Sequence, residues 1–306
     1  RQQAAGWLLA GKLGGGTEMS DGFVRRFLFE HLDIRGAVVH LGEAWRQMQD
    51  GRDYQPPVAQ LLGQTAAVAT LIAGQLKQPG RLTLQLRGNG PIQLLIVDCN
   101  ENLQLRGMAR SNPVVLPAPV PALLGADQGG QLVLSLDMPD ARQPYQSFVP
   151  LVGDTIAAIF EHYLEQSEQL SSRLFVTAAP DAAACLFLQK MPQANARDAD
   201  GWDRIAQLAA TVGNGELLGL DTEALLERLF HEDMATHGIR VYNPAPVAYH
   251  CPEDWRKVRD MIRQLGREDA ETLLREHGEI LIRDDICNRD YRFSPADVAE
   301  LFEPLA

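Results

Sequence analysis

The chain has 306 residues, 45% of them hydrophobic, which is enough for a substantial core in about two domains. Its 40 acidic residues outnumber 28 basic ones, and the net charge of −12 disfavours nucleic acid and anionic membrane surfaces as partners. The longest apolar run, 66–74, is far shorter than the roughly 20 residues of a membrane-spanning helix, so we expect a soluble globular protein without a membrane segment.

The first 18 residues end in a glycine run just before Met19, which has the position of a natural start. We interpret residues 1–18 as an upstream extension or a vector-derived remnant and leave them out of the fold prediction. No signal-peptide pattern opens the sequence, and its four cysteines are too few and too scattered for a secreted disulfide framework. These features predict a cytoplasmic location.

Residues 19–192, called the core below, predict one α+β domain of antiparallel strands with helices packed on a face. An apolar series from Phe23 to Val39 suits a strand near the start of a sheet. The span 58–76 is apolar all round, which predicts a helix inside the domain. From Leu82 onward apolar residues alternate, and turns at 88–91 and 100–102 predict an antiparallel meander.

The span 113–150 carries only four charged residues and opens with four closely spaced prolines, which predict an extended and unusually apolar surface segment. Alternation at 132–136 predicts a further strand within it. Asp154 is predicted to cap a helix from Ile156 to Leu164. Two strands, at 173–178 and 184–189, complete the predicted core.

Residues 193–245 predict a helical linker of marginal stability. Apolar residues at 202, 205, 208 and 209 fall at helical spacing. Asp221 is predicted to cap a second helix, whose apolar stripe consists of Leu225, Leu226, Leu229 and Phe230. Glycines between 213 and 219 weaken the intervening stretch, so the linker is expected to depend on packing against another part of the chain.

Residues 246–306, called the tail below, predict a small, charge-rich C-terminal α+β domain. From Cys251 onward it holds nine basic and fourteen acidic residues around a sparse apolar core. A domain of this size usually needs a metal, a disulfide or docking onto a neighbour. Ser294 and Pro295 predict the start of a final short helix.

Signatures of catalysis are scarce in this sequence. It contains no phosphate-binding loop, no dinucleotide fingerprint and no Gly-x-Ser-x-Gly elbow, so we predict neither a nucleotide cofactor nor an enzyme nucleophile. Glu161, His162 and Glu165 share one helical turn and are candidate metal ligands. They lack a second histidine at the required spacing, so a solvated helix face is the favoured interpretation.

A set of short motifs runs in order from residue 23 to residue 302. They include Arg87-Gly88-Asn89-Gly90-Pro91, Gly153-Asp154-Thr155, Leu188-Gln189-Lys190-Met191-Pro192, Phe230-His231-Glu232, Val241-Tyr242-Asn243-Pro244 and the block 279–293. Together they resemble the bacterial family of redox-regulated heat-shock chaperonins, HslO, also called the 33 kDa chaperonin. The resemblance implies a cytoplasmic, ATP-independent holdase that binds unfolded client proteins, with a substrate-binding core, a metastable linker and a redox-sensing zinc domain. A homodimer is a candidate active state.

The resemblance also exposes a departure at the zinc site. The family's Cys-x-Cys and Cys-x-x-Cys units align with Cys251-Pro252-Glu253 and Asp284-Asp285-Ile286-Cys287, so Glu253 and Asp284 replace two of four thiolates. Structural zinc favours sulfur and nitrogen ligands, and we expect zinc bound through Cys251 and Cys287 to be labile or absent. His250 either adds a nitrogen ligand or faces solvent.

The same alignment implies that Cys251 and Cys287, one from each half of the family's site, lie close enough for a disulfide. Cys99 and Cys185 are instead predicted to be small buried hydrophobic residues. Three interpretations of function stay open: a holdase with an altered thiol switch, a constitutive or heat- or acid-triggered holdase without redox control, and a thiol-dependent redox enzyme. The lack of any Cys-x-x-Cys disfavours the enzyme.

Overall fold

The computed structural model describes residues 21–303, so the interpretation of residues 1–18 lies outside the described part of the chain. The described chain opens with a hairpin of two strands, β1 (Gly22–Phe29) and β2 (Ile34–Leu41), followed by helices α1 (Glu43–Gln49) and α2 (Pro56–Ala73). Helix α2 is buried along most of its length because it carries apolar or small residues on every face. The predicted buried helix is confirmed, although it begins at Pro56 and ends at Ala73.

The next elements are β3 (Arg81–Arg87), β4 (Ile92–Asn100), β5 (Gln104–Ser111), α3 (Val120–Leu124), β6 (Gln131–Asp137) and β7 (Tyr145–Val149). Strands β3 to β5 form a meander, and β6 returns to pair with the free side of β3. The predicted hairpin and meander are confirmed. The segment after β5 was expected to be only extended, but it contains α3. This short helix has Pro121 in its first turn, a position where the missing N–H costs nothing, and it buries Val120, Leu123 and Leu124.

The core ends with α4 (Ile156–Glu168), β8 (Ser172–Ala178) and β9 (Ala183–Lys190). The prediction that Asp154 caps α4 is wrong. The cap is Thr155, whose hydroxyl accepts a hydrogen bond from the Ala158 N–H at 3.2 Å. Asp154 lies one residue too early for this role, and its carbonyl accepts a hydrogen bond from the Val120 N–H at 2.9 Å.

The linker contains four helices, α5 (Ala194–Arg197), α6 (Gly201–Ala209), α7 (Asn214–Gly219) and α8 (Thr222–His237). Asp221 caps α8 as predicted, because its carboxylate accepts a hydrogen bond from the Ala224 N–H at 2.8 Å. Three short strands then lead towards the tail: β10 (Ile239–Val241), β11 (Ala245–Pro246) and β12 (Ala248–Tyr249). The linker is therefore not purely helical, since its last part adds strands to the core.

The tail consists of α9 (Trp255–Leu265), α10 (Arg267–His277), β13 (Ile280–Asp284), β14 (Arg289–Phe293) and α11 (Pro295–Leu301). Ser294 starts α11 as predicted, in a capping box with Asp297. The apolar core of the tail is small and is formed by Val258, Ile262, Ala270, Ile280, Tyr291, Phe293 and Val298.

Two six-stranded sheets form the body of the molecule. The first sheet has the order β10-β1-β2-β9-β8, with β11 also paired to β1, and the second has the order β12-β5-β4-β3-β6-β7. All pairs within them are antiparallel except β12 with β5, which confirms the predicted α+β class. Helix α2 packs against strands of both sheets and forms the centre of the main core. Between residues 21 and 303, none of the helices is long and apolar enough to cross a bilayer.

Candidate functional site

The first sheet is apolar on both of its faces. One face packs on α2, and the other, called the covered face below, is turned away from it. The covered face is apolar because β2 and β9 carry apolar residues at both odd and even positions. This pattern is typical of strands buried on both sides. The covered face consists of side chains that are each at most 2% exposed: Phe27, Phe29, Ile34, Val38, Ala184, Leu186 and Leu188.

The linker helices bury this face. Helix α6 contributes Trp202, Ile205 and Ala209, α7 contributes Leu217, and α8 contributes the predicted stripe of Leu225, Leu226, Leu229 and Phe230. The ring of Phe230 meets the ring of Phe29 edge to face, with centroids 5.3 Å apart. The burial predicted for the α8 stripe is confirmed, and the structure supplies the surface against which it packs.

Ion pairs at the periphery of the linker add to its apolar packing. Arg25 of β1 donates to Glu223 of α8 at 2.7 Å. Within the linker, Arg204 lies 3.0 Å from Asp198 and 2.9 Å from the nearly buried Asp233. The hydrogen bond from Arg204 holds the pKa of the Asp198 carboxyl below its usual value. These pairs are partly exposed, so each contributes little to stability compared with the apolar contacts.

The linker has little intrinsic stability. Its helices have 4, 9, 6 and 16 residues, and the longest departs from helical geometry at Phe230. Isolated helices of about 12–15 residues or fewer are marginal in water. The break at Phe230 divides α8 into two segments below that length, so all four helices persist because they are packed. The buried Thr222 hydroxyl has no hydrogen-bond partner among the described residues, and such a group costs about 1–3 kcal/mol. The structure therefore contains an apolar face under a cover that is only marginally stable by itself.

The tail cysteines are brought together. Cys251 precedes α9, and Cys287 lies in the turn between β13 and β14. The structure joins them by a disulfide, with Cα atoms 5.6 Å apart and a sequence separation of 36. Both residues are half-buried.

The carboxylates beside these cysteines are engaged by their neighbours. Glu253 accepts a hydrogen bond from the Trp255 indole N–H at 2.7 Å. Asp284 Oδ1 accepts the backbone N–H groups of Ile286 at 3.0 Å and Cys287 at 3.1 Å, and it thereby shapes the turn. Both groups have a structural role that needs no metal ion.

This donor set does not fit structural zinc. Structural zinc sites are built from thiolate and imidazole ligands, but both sulfurs here are in a disulfide. The His250 side chain is exposed, and its backbone N–H donates to the Leu105 carbonyl at 3.0 Å. Among residues 21–303, no group of three or more His, Cys, Asp or Glu side chains is arranged to hold a metal ion.

The turn that carries Cys287, residues 284–288, is docked on the core and is called the docking turn below. Arg52 donates to the carbonyls of Asp285 at 2.6 Å and Ile286 at 2.8 Å. In return, the Asn288 side-chain amide donates to the carbonyls before Arg52, at Asp50 (3.3 Å) and Gly51 (3.2 Å). Gly51 has φ +66°, and a Cβ there would lie 2.9 Å from the Asn288 amide nitrogen, so this contact needs glycine. Sequence reasoning missed the contact because its partners lie more than 230 residues apart and no local pattern marks it.

Glu161, Cys99 and Cys185 have structural roles. Glu161 accepts the Leu174 N–H at 2.6 Å, and burial raises the pKa of its carboxyl. Cys99 and Cys185 are buried as predicted. Burial raises the pKa of the Cys99 thiol to about 12 and also raises the pKa of the Cys185 thiol, so neither thiol is primed for exchange.

The sequence and the fold of this chain are similar to those of known proteins. A family described as Hsp33 protein matches residues 22–294. A 33 kDa chaperonin of Methylobacillus flagellatus is 36% identical over 281 residues, which cover 91% of this chain and 94% of that protein. The 33 kDa chaperonin of Azotobacter vinelandii is 37% identical over 290 residues, covering 93% and 96% of the two chains. The crystal structure of a 33 kDa chaperonin (heat shock protein 33 homolog) from Thermotoga maritima is similar in fold, with a TM-score of 0.74 at 21% identity over 92% of this chain and 97% of that one.

Proposed function

Because this chain belongs to the Hsp33 family and is accordingly a chaperone, we propose that it acts as a holdase that binds unfolding proteins without nucleotide. The observation that carries the proposal is the covered face, an apolar sheet surface buried by linker helices of marginal stability. The division into core (19–192), linker (193–245) and tail (246–306), and a cytoplasmic site of action, are parts of this proposal.

The geometry supports a simple cycle of covering and uncovering. When the linker leaves, the aromatic and branched side chains of β1, β2 and β9 become available to apolar segments of a client. The apolar stripes of α6 and α8 are released at the same time and add to this surface. The net charge of −12 keeps the uncovered chain soluble through mutual repulsion. This chemistry is binding, and it uses no nucleophile.

The first prediction concerns client aggregation. The purified full chain should suppress light scattering by a thermally unfolding client, and ATP should leave the suppression unchanged, because apolar contacts need no phosphate chemistry. An unrelated acidic protein of the same mass serves as the control for non-specific crowding. A chain that suppresses no scattering when oxidised, reduced, heated or acidified would refute the holdase proposal.

The second prediction concerns zinc in the reduced chain. We expect less than one labile zinc per chain, since carboxylates stand at Glu253 and Asp284 where the resemblance places thiolates. Replacing both, Glu253→Cys with Asp284→Cys, should raise zinc affinity sharply and make the metal resistant to a chelator.

The matched control is Glu253→Ser with Asp284→Ser, which removes the same carboxylates without adding thiols. Metal content after reduction and chelator treatment is the measurement. Tight zinc at one per unmodified chain would show that the ligand argument is wrong.

A further inference from the structure

We propose that the free edge of the second sheet, strand β7, is a docking site where an extended, uncharged client segment adds as a further strand. The inference rests on the holdase function proposed above and names the shape and chemistry of the client segment. It concerns a surface distinct from the covered face, which belongs to the first sheet.

Strand β7 has one open side. It ends the order of the second sheet and pairs only with β6, in register from Leu136 opposite Tyr145 to Leu132 opposite Val149. Within residues 21–303, no other backbone group forms a hydrogen bond with Tyr145–Val149. Such an edge presents a row of N–H and C=O groups that fits the backbone of an extended chain and of no other conformation.

Two aromatic side chains of this edge strand are exposed, whereas Val149 is buried. Phe148 is 67% exposed, Tyr145 is 57% exposed, and Val152, just beyond the strand, is 50% exposed. Because side chains alternate along a strand, Phe148 and Tyr145 lie on opposite faces of the sheet. An added strand would therefore find one aromatic neighbour on each face, which favours a segment with apolar residues in alternation.

Charged residues, one of the usual protections of an edge strand, are missing from β7 and its flanks. Natural edges are commonly blocked by charged residues, yet residues 143–153 contain none in a chain where 22% of residues are charged. Pro144 and Pro150 flank β7 directly and lack the N–H that would extend the pairing. The prolines limit the edge to five residues, or about 17 Å.

An extended client segment fits this edge better than a second copy of the chain does. A five-residue strand pair buries on the order of a few hundred Å², against the roughly 1,200 Å² needed for a stable interface. Two copies, each with a net charge of −12, also repel one another. A client already bound to the covered face, once the linker has left it, needs only a small additional contact. The first contact raises the effective concentration of the client segment at the β7 edge. The segment must be neutral, because an unpaired charge beside Phe148 would be partly desolvated at a cost.

Hydrogen exchange on the full chain tests the proposal. The probe is a seven-residue peptide of alternating valine and threonine on a short polyethylene glycol tail. We expect slower exchange for amides of residues 145–149 when the peptide is present. Phe148→Lys should weaken peptide binding, measured by fluorescence anisotropy, by roughly tenfold or more. Met261→Lys, an equally drastic change at a 48% exposed helical position, is the matched control and should leave binding unchanged.

The outcomes separate this inference from the holdase proposal. Suppressed client aggregation without peptide-induced protection of β7 overturns the docking edge and leaves the holdase intact. Protection of β7 in a chain that never suppresses aggregation supports the edge and refutes the holdase. Equal binding of a peptide with alternate backbone nitrogens methylated shows that no strand is added. Protection that rises with the concentration of the chain alone, together with a dimer in sedimentation, means that a second copy takes the edge, and it also overturns the proposal.

Discussion

Reduction of the Cys251–Cys287 disulfide is expected to loosen the tail and make the linker more sensitive to protease. The bond closes a loop of 36 residues, and the chain-entropy model gives such a crosslink roughly 3–4 kcal/mol of stabilisation. Because the apolar core of the described tail consists of seven buried residues, we expect a small free energy of unfolding for this domain. Oxidation should therefore tighten the tail, whereas the family resemblance implies that oxidation, with release of zinc, unfolds it.

The docking turn connects the loosening of the tail to the core. Its residues 284–288 contain Cys287 and also form the hydrogen bonds with Arg52. A reduced turn is no longer tied to Cys251, which lies just after β12, and β12 in turn follows β10 and β11, the strands that pair with β1. Loosening is then passed to the segment that anchors the linker on the first sheet.

Timed proteolysis of oxidised and reduced chain, with mass mapping of the crosslink, measures the effect. The double variant Cys251→Ser with Cys287→Ser serves as the control, since it should behave like reduced chain in both conditions. Either an oxidised chain with no Cys251–Cys287 crosslink or a linker that is cleaved faster once the bond forms would rule the idea out.

Replacing Phe230 by alanine should turn the chain into a holdase that needs no trigger. This ring is 1% exposed and packs edge to face on Phe29 of the covered face. Removing a buried phenylalanine costs about 3–5 kcal/mol, which is large compared with the intrinsic stability of the linker helices. We expect stronger binding of an apolar dye, faster cleavage within 193–245, and suppression of client aggregation by chain that has been neither heated nor exposed to an oxidant or acid.

Leu281→Ala is the control for this variant, because it truncates an apolar side chain that is 50% exposed in the tail. Hydrogen exchange in α2 and in the second sheet should stay slow in both variants, which shows that the body of the molecule remains folded. A Phe230→Ala chain with an intact, protease-resistant linker and unchanged dye binding would show that the cover does not depend on this contact.

Local patterns predicted the parts of the fold that depend on local physics. The all-round apolar character of α2 and the four-residue stripe of α8 both predicted burial correctly, because helical periodicity records which side chains avoid water. Thr155 takes the cap expected of Asp154 because two adjacent residues can each cap a helix, and the choice depends on where the first turn closes.

The parts that could not be predicted depend on contacts between distant residues. Nothing in the stripe of α8 identifies the covered face as its partner, since many apolar surfaces could bury these side chains. The hydrogen bonds between Arg52 and the docking turn join ordinary surface residues, and no local sequence pattern marks them. The proximity of Cys251 and Cys287 was implied by the family resemblance alone, because spacing within one chain does not determine which cysteines meet.

The pairing of β1 with β10 and β11 also affects how the chain emerges during synthesis. Phe29 pairs with Ile239, so the first strand leaves the ribosome on the order of 200 residues before its outer neighbour. At roughly 5–20 residues per second, this interval lasts about 10–40 seconds. For most of that time the hairpin of β1 and β2 has neither its edge partner nor the helices α6 and α8. The newborn chain thus exposes part of the same apolar face that the mature protein keeps covered, and it is itself an aggregation-prone polypeptide until its last third has been made.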